Sequence, residues 1–289
     1  MAQRVEWVEP AAPRGDGPGV PEEVEEEVRQ LRDQVRRLQE QVNALAARPK
    51  EGEGRIATYV EGFDAVLEGG VPRGHVVLIS GPTGAMKTSL ALYVLVRNRA
   101  AGTRGVYVTL EEGRESILRT MRRLGLADTE DFVVDIGRLR IEHAAAEDVR
   151  DWMQVLRDYL NRRRDREPLG IVVIDSLNAL TALARVADVR GDLFHFLNFL
   201  RSLGVTTFLV MEQDPGRPAF DHDVDFLADG VLELRFSGAG EGRVQLLLRC
   251  AKMRHTNHAR DYFVLDYSNK RFVAKPYRVS RRRRWGRRP

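Results

Sequence analysis

The sequence predicts an α/β fold in which a mostly parallel central sheet is flanked by helices. From Arg55 onward, short runs of β-branched and other apolar residues alternate with segments of helical periodicity, which is the pattern of strands joined by crossover helices. Beyond residue 229 the apolar runs follow one another closely, so we expect the last strands to be antiparallel. The predicted strands are 75–80, 105–110, 171–175, 205–211, 231–236 and 244–250, and the predicted helices are 88–100, 114–124, 147–164 and 189–203.

A different pattern precedes this α/β region. Residues 1–21 are rich in Pro and Gly and are expected to be disordered. Residues 22–48 repeat Val or Leu at alternating spacings of four and three, which favours a coiled coil, and valine at a with leucine at d is typical of parallel dimers. The alternative is an amphipathic helix packed on its own domain. Residues 49–54 are then a linker, residues 55–276 the α/β domain and residues 277–289 a basic tail.

Composition and charge exclude several classes of protein. The 289 residues contain 43% hydrophobic and 30% charged side chains, as in globular proteins, and no stretch reaches the roughly 18 apolar residues of a membrane span. The first residues show no secretory signal, so we expect a cytoplasmic protein without a transmembrane segment. The one cysteine, Cys250, excludes an intrachain disulfide and a cysteine-rich metal site.

A phosphate-binding loop follows the first predicted strand. Residues 81–88 read Gly-Pro-Thr-Gly-Ala-Met-Lys-Thr and connect an apolar strand to a helical run. This context is the one a P-loop (the Walker A pattern) requires, because N–H groups of the loop and of the helix start bind phosphate oxygens. Lys87 would reach the β- and γ-phosphates of ATP, and the Thr88 hydroxyl would coordinate Mg²⁺. The predicted nucleotide-binding residues are Gly81, Pro82, Thr83, Gly84, Ala85, Met86, Lys87, Thr88 and Ser89.

Met86 departs from the pattern, which usually has glycine before the lysine. Its N–H is still available, so phosphate binding is not excluded. We expect the methionine side chain to point away from the nucleotide and its φ to suit a non-glycine residue. The departure concerns how well the loop closes and not which ligand it binds.

Carboxylates end two other predicted strands. Asp175 ends a run of branched apolar residues, so we expect it beside the P-loop, where it would help to hold Mg²⁺. Ser176 follows it, whereas many P-loop ATPases carry a catalytic glutamate there. Glu111 and Glu112 follow another strand to the same edge of the sheet, where either could polarise the attacking water. Alternatively, they are solvated acids that open the next helix.

Two cations follow the last predicted strand. Lys252 and Arg254 are two residues apart and would project to the same side. There they could meet a γ-phosphate, either in their own subunit or in a neighbour. The alternative is an exposed basic hairpin. A metal site at His255 and His258 is less well supported, since no acidic or thiol partner stands at ligand spacing.

Taken in order, these motifs resemble the KaiC-like branch of the RecA-type ATPases. The resemblance spans roughly residues 55–275 and begins with residues 58–74, Thr-Tyr-Val-Glu-Gly-Phe-Asp-Ala-Val-Leu-Glu-Gly-Gly-Val-Pro-Arg-Gly. It continues through the P-loop, the Glu111-Glu112 pair, Asp175-Ser176-Leu177, residues 204–207, and Lys252, Arg254, Thr256 and His258. It implies a RecA-like ATPase domain that binds ATP and Mg²⁺, and a ring, usually a hexamer, with ATP held between neighbouring subunits.

The resemblance also implies roles for individual residues. Glu111 and Glu112 correspond to the family's catalytic pair, acting with Lys87 on the phosphates. Lys252 and Arg254 correspond to the segment that contacts the neighbour's γ-phosphate in trans. The positions that approach the nucleotide across the same interface are Thr256 and His258.

Some features depart from the clock proteins of that family. This sequence has one ATPase domain where the clock protein has two in tandem, and the phosphorylated segment of the second domain has no identifiable counterpart. A clock role and autokinase activity are therefore not implied. His255 stands where clock proteins have a small residue. A sixfold ring could carry three dimeric coiled coils, with neighbouring N-termini pairing.

The last ten residues contain six arginines, with Trp285 among them. This composition suits nucleic acid or another polyanion, or an anionic membrane surface, and the alternative is a solvated tail.

From the motifs and the resemblance together, we expect an oligomeric, ATP-hydrolysing KaiC-like protein with a regulatory or signalling role and a protein partner. The alternatives are a weakly or non-hydrolysing nucleotide-dependent scaffold or switch, and a DNA-handling RecA-like ATPase.

Overall fold

A nine-stranded sheet forms the centre of the α/β domain. The computed structural model describes residues 54–126, 130–135, 149–182, 189–213, 220, 223–238 and 244–278. The predicted disordered start, the coiled coil and nearly all of the basic tail lie outside these residues. The described strands are β1 (Arg55–Ile56), β2 (Val71–Pro72), β3 (Val76–Gly81), β4 (Gly105–Thr109), β5 (Val133–Asp135), β6 (Ile171–Asp175), β7 (Thr206–Glu212), β8 (Gly230–Ser237), β9 (Gln245–Met253), β10 (Phe263–Ser268) and β11 (Arg271–Pro276).

Helices connect most of the parallel strands. The described α-helices are α1 (Lys87–Ala100), α2 (Arg114–Arg123), α3 (Val149–Arg166), α4 (Leu177–Ala182), α5 (Val189–Ser202) and α6 (Val224–Leu227). Short 3₁₀ turns occur at Asp64–Leu67 and Glu130–Phe132. Within the described ranges, no helix combines the length and apolarity needed to cross a bilayer.

The strand order in the large sheet is β11-β10-β9-β8-β3-β7-β6-β4-β5. The six strands from β8 to β5 pair in parallel, and β8, β9, β10 and β11 pair successively in antiparallel fashion. The predicted mostly parallel sheet is therefore confirmed, as is its antiparallel end. Strands β1 and β2 form a separate two-stranded sheet.

The sheet is covered on both faces, as the continuous apolar runs predicted. Along β3, Val77 and Ile79 belong to one hydrophobic core with residues of α1 and α2. Val76 and Leu78 belong to the other core, with residues of α3 and α5. Successive residues of a strand point to opposite faces, so a strand that is buried on both sides must be apolar at every position.

The two ends of the parallel strands carry different groups of predicted site residues. β3, β4 and β6 end at Gly81, Thr109 and Asp175, and the carboxyl ends of parallel strands lie along one edge of a sheet. At the opposite edge, Asp229 N donates to the carbonyl of Val76, the first residue of β3, over 2.8 Å. The six residues of β3 rise about 3.3 Å each, which separates the two edges by about 17 Å.

The segment before β3 packs on the antiparallel hairpin. Glu61 N donates to Phe272 O over 2.9 Å, and the hairpin returns a bond to Glu61 O. Asp64 accepts hydrogen bonds from Thr58 N (2.8 Å) and Tyr59 N (2.9 Å), and burial raises the pKa of its carboxyl to about 6. This segment starts the family resemblance, and its first strand brings Arg55 to Thr256.

Candidate active site

The phosphate loop fits an anionic ligand. It leaves β3 at Gly81, where a Cβ would lie 2.5 Å from Leu234 O, so this position needs glycine. α1 begins at Lys87, and Leu90 N donates to Met86 O over 2.9 Å. N–H groups in the first helical turn have no carbonyl one turn earlier, and they carry the positive end of the helix dipole. The loop therefore offers the N–H donors that bind phosphate.

Lys87 lies against its own loop. Its Nζ donates to Pro82 O over 2.9 Å. Burial lowers the pKa of Lys87, although nearby carboxylates, chiefly Glu212 and Asp175, oppose the shift. The ammonium is therefore held among carboxylates at the carboxyl edge of the sheet, next to the loop that it would serve.

Three side chains from three elements meet beside this loop. Thr88 Oγ1 donates to Asp175 Oδ2 over 2.6 Å, and the Tyr107 hydroxyl donates to the same oxygen over 2.5 Å. Burial raises the pKa of the Asp175 carboxyl, and the hydrogen bonds from Thr88 and Tyr107 oppose that shift. The peptide bond between Asp175 and Ser176 is cis. Thr88 and Asp175 present oxygen ligands, the donor type that Mg²⁺ prefers, so the predicted pair fits this ion.

The two adjacent glutamates differ in their surroundings. The Glu111 carboxylate accepts a hydrogen bond from Ser176 Oγ, and Leu110 N donates to Asp175 O over 2.7 Å. Glu112 Oε2 instead accepts from Ser116 Oγ of α2 over 2.6 Å. Glu111 is thus joined to the Asp175 strand end, and Glu112 is joined to the following helix. The sequence did not distinguish between them.

Glu212 is a residue of this edge that the sequence analysis missed. It ends β7, and its carboxylate accepts a hydrogen bond from the Thr83 hydroxyl in the phosphate loop. Asn178 of α4 supports it, since Glu212 N donates to Asn178 Oδ1 over 2.7 Å. An acid after an apolar strand was the available signal, the same signal that drew attention to Asp175.

Lys252 and Arg254 lie together at the opposite edge of the sheet. Lys252 Nζ donates to Asp225 O (2.7 Å) and Ala228 O (2.8 Å). Arg254 donates to Asp229 Oδ1 over 3.0 Å. Because Asp229 is bonded to the first residue of β3, about 17 Å of strand separates these cations from the phosphate loop. This separation does not support a contact with the nucleotide of their own subunit. The two other interpretations, a contact with a neighbour's nucleotide and an exposed basic hairpin, stay predictions.

The residues after Arg254 stay at this edge. Thr256 Oγ1 accepts a hydrogen bond from Arg55 Nη1 over 3.0 Å. The His255 ring lies against His75, with 3.3 Å between His255 Nδ1 and His75 Nε2. His258 Nδ1 lies 3.1 Å from the carbonyl oxygen of the next residue, Ala259. Among the described residues, no three His, Cys, Asp or Glu side chains form a group that could hold a metal.

Comparison with known proteins identifies the family. The family model described as "ATPase: KaiC" matches residues 56–274, which is most of the chain. The chain belongs to the KaiC ATPase family. The match begins directly after Arg55 and ends inside β11, so it covers both the phosphate-loop edge and the Lys252–Arg254 edge.

Relatives of this KaiC-family chain include clock proteins and archaeal proteins. Circadian clock protein KaiC3 of Synechocystis is 31% identical over 77% of this chain and 46% of its own length. A UPF0273 protein of Pyrobaculum aerophilum is 30% identical over 71% of this chain and 76% of its own length. The chain therefore spans about half the length of the clock relative that it matches.

A solved structure supports the fold. The crystal structure of a KaiC-like protein from Pyrococcus horikoshii matches with a TM-score of 0.65 and 27% identity. The match covers 77% of this chain and 99% of the archaeal one. The RecA-like α/β fold predicted from the sequence is confirmed.

Met86 has a backbone conformation that the sequence analysis did not expect. Its φ is 60° and its ψ is 25°, the left-handed region. Such a conformation costs an L-residue with a Cβ about 1–2 kcal/mol. The side chain is partly buried and packs against the core that includes α1. The expectation of a φ suited to a non-glycine residue was wrong: this KaiC-family loop keeps the glycine conformation and places a methionine in it.

Comparing glycine with alanine at position 86 should expose this strain. Both substitutions remove the methionine side chain, but only M86G also removes the Cβ. We expect M86G to be more stable than M86A by about 1 kcal/mol, measured by urea denaturation. At the exposed helical position Arg119, the order should reverse, with alanine about 1 kcal/mol better than glycine. Equal stability of the two position-86 variants would contradict the left-handed conformation.

If Asp175 holds Mg²⁺, removing the Tyr107 hydroxyl should weaken binding of the ion. Y107F leaves Asp175 Oδ2 with Thr88 as its remaining donor, so the carboxylate is less firmly placed. Since a hydrogen bond to a charged group contributes about 1.5–3 kcal/mol, we expect the Mg²⁺ concentration for half-maximal nucleotide-dependent thermal stabilisation to rise at least about threefold.

Tyr93 provides the matched control for this experiment. It is buried in the same core as Tyr107, and its hydroxyl donates to the carbonyl of Tyr59 over 3.2 Å, not to a carboxylate. Y93F should lose stability without moving the Mg²⁺ midpoint. An unchanged midpoint in Y107F would contradict the positioning role of the hydroxyl.

Proposed function

We propose that this chain hydrolyses ATP with Mg²⁺ as part of an oligomeric ring, in a regulatory or signalling role, with each nucleotide bound between two subunits. The observation that carries the proposal is the separation of the two groups of site residues. The phosphate loop lies at one edge of the sheet, and Lys252 and Arg254 lie at the other. Each protomer thus has half of a site at either edge, an arrangement that head-to-tail association can complete.

The phosphate-loop side would bind the nucleotide. N–H groups of the loop and of the first turn of α1 would donate to phosphate oxygens, and Lys87 would move from the carbonyl of Pro82 to a phosphate. Thr88 and Asp175 would hold Mg²⁺, whose charge would offset the negative charge that the phosphates share. Tyr107 would keep Asp175 in place.

Glu111 would orient the attacking water and accept its proton. Each carboxylate of the pair accepts a hydrogen bond from a serine. The serine bonded to Glu111 is Ser176, next to the residue that would hold the metal, whereas the serine bonded to Glu112 is Ser116 on the following helix. General-base catalysis requires a carboxylate within hydrogen-bond reach of the water. The geometry thus favours Glu111 within the pair that the resemblance supplied.

The other edge would serve the neighbour's nucleotide. Lys252 and Arg254 would donate to the γ-phosphate, where positive groups stabilise the charge that develops during phosphoryl transfer. Thr256 and His258 would approach the same nucleotide from this side. The description of the matching family model supports an ATPase of the KaiC type.

Mixed oligomers test the proposal. E111Q subunits would lack the base, and R254A subunits would lack the trans cation, so each should be inactive alone. In an equal mixture, on the order of a quarter of the interfaces would pair an intact Glu111 with an intact Arg254. We expect ATPase activity to return on mixing, measured as phosphate release.

The control is a mixture of E111Q with the double variant E111Q/R254A, which contains no complete interface and should stay inactive. Failure to recover activity in oligomers that demonstrably exchange subunits would refute a shared site. If the unmodified protein binds ATP but releases no phosphate, with or without partners, the chain is instead a nucleotide-dependent switch.

A further inference from the structure

Among the residues that the structure describes, two charged side chains are buried, Asp175 and Asp229. Asp175 belongs to the proposed metal site. Asp229 stands immediately before β8 at the opposite edge of the sheet and has no role in the mechanism given above. Burying a carboxylate is costly unless it is paired and hydrogen-bonded, so its partners indicate what it does.

The Asp229 carboxylate is fully bonded. Oδ2 accepts from Val76 N over 3.0 Å and from Arg201 Nε over 2.9 Å. Oδ1 accepts from Arg201 Nη2 over 3.2 Å and from Arg254 Nη1 over 3.0 Å. Burial alone would raise the pKa of Asp229, but hydrogen bonds from Arg201 and Val76 and the charge of Arg201 lower it. The group is therefore a fixed anion.

The backbone at Asp229 is fixed in the same way. Its N–H donates to Val76 O, and its carbonyl accepts from Arg254 N, each over 2.8 Å. Asp229 thus links three elements: the start of β3, the α5 residue Arg201, and the segment after β9 that carries Arg254. The central parallel strands of the sheet are its most deeply buried part, so this linkage ties Arg254 to a rigid frame.

These contacts orient the Arg254 guanidinium but use only some of its N–H donors. Its side chain is 48% exposed, and in the described structure it makes two hydrogen bonds, to Asp229 Oδ1 and, over 3.2 Å, to Phe226 O. A guanidinium has five N–H donors, so three remain for another acceptor. Lys252 is held on carbonyls of the same segment, and two adjacent cations suit a polyanion such as a triphosphate.

We propose that Asp229 is a positioning residue, which together with Arg201 holds the Arg254 guanidinium in the orientation needed to reach the nucleotide of the neighbouring subunit. The inference rests on the proposed trans role of Arg254. Preorganised donors stabilise a transition state because they need no rearrangement during the reaction, and a displacement of about 1 Å can cost ~100-fold in rate.

D229N is the direct test, because it keeps the shape of the side chain and removes its charge. We expect kcat for ATP hydrolysis to fall at least ~10-fold. KM and the affinity of the subunit's own phosphate loop should stay within about twofold, since that loop lies at the other edge of the sheet. Mixing D229N with E111Q subunits should restore activity, because the D229N subunit keeps an intact phosphate-loop edge and the E111Q subunit keeps an intact Asp229 edge.

Glu233 supplies the matched control. It lies on β8, and its carboxylate is bonded to Arg249 over 2.6 Å, but it has no contact with Arg254 among the described interactions. E233Q should leave kcat unchanged. R201K is a second test variant. Lysine keeps the positive charge but cannot bond both Asp229 oxygens as arginine does, so R201K should lower kcat, though less than D229N. If D229N does not fold, the kcat of R201K decides whether the positioning role holds.

Two outcomes distinguish failure of the positioning role from failure of the shared site. If R254A subunits complement E111Q but D229N subunits do not, Asp229 is needed for the nucleotide site of its own subunit. The positioning role is then wrong, while the shared site stands. If neither variant complements E111Q, the shared site is wrong. An unchanged kcat in both D229N and R201K would also overturn the inference.

Discussion

Glutamine in place of Glu111 is expected to lower kcat by ~100- to 10,000-fold while ATP still binds. The amide has nearly the shape of the carboxylate, and its oxygen can still accept the hydrogen bond from Ser176, so the loop should keep its structure. An amide cannot take up a proton, so the water would lose its base. Steady-state phosphate release gives kcat, and a fluorescent ATP analogue gives the affinity, which should change less than about twofold.

Glu112 is the natural control, because it is adjacent and chemically identical. Its carboxylate is bonded to Ser116 at the start of α2, so E112Q should affect the helix start more than the water. We expect a loss of kcat below about tenfold. A larger effect of E112Q than of E111Q would reverse the assignment, and unchanged turnover in both single variants and the double variant would remove the pair from catalysis.

The central strands were predictable because burial on both faces leaves a strong signal in the sequence. β3 and β6 are continuous apolar runs, and their observed bounds differ from the predicted ones by no more than a residue. β5 was missed because it has three residues, too few for a periodic pattern. The hairpin of β10 and β11 was missed because neither short strand is a continuous apolar run or a regular alternation of apolar and polar residues. Its turn also carries Asn269 and Lys270 at positive φ, where glycine would have been the expected marker.

Much of the candidate site followed from motifs in the sequence, but its connections did not. The phosphate loop, Asp175 and Arg254 each stand in a recognisable local context. The proposed roles of Tyr107 and Asp229 depend on partners that are distant in the sequence. Tyr107 donates a hydrogen bond to Asp175, and Asp229 accepts one from Arg254. A tyrosine inside a buried strand was a usable signal, because a buried hydroxyl needs a partner. No local pattern indicates which partner it finds.

Asparagine at position 175 should uncouple nucleotide binding from Mg²⁺. The Asn oxygen can still accept from Thr88 and Tyr107, so the strand end should keep its geometry, but a neutral oxygen holds Mg²⁺ less well than a carboxylate does. Metal-assisted charge stabilisation contributes several kcal/mol, so we expect kcat to fall by ~100-fold or more. ATP affinity measured in EDTA should not change, whereas the gain in affinity on adding Mg²⁺ should be lost.

Two further measurements separate loss of the metal site from damage to the fold. Burial raises the folded-state pKa of Asp175, so its contribution to stability is present at low pH and is lost as pH rises through that pKa. Without Mg²⁺ at neutral pH, D175N should therefore melt at the same temperature as the unmodified protein or higher. For the same reason, protons should compete with Mg²⁺ at less acidic pH than at an ordinary aspartate, and D175N should lack this dependence. A D175N protein whose ATP affinity still rises with Mg²⁺ would show that another residue holds the ion.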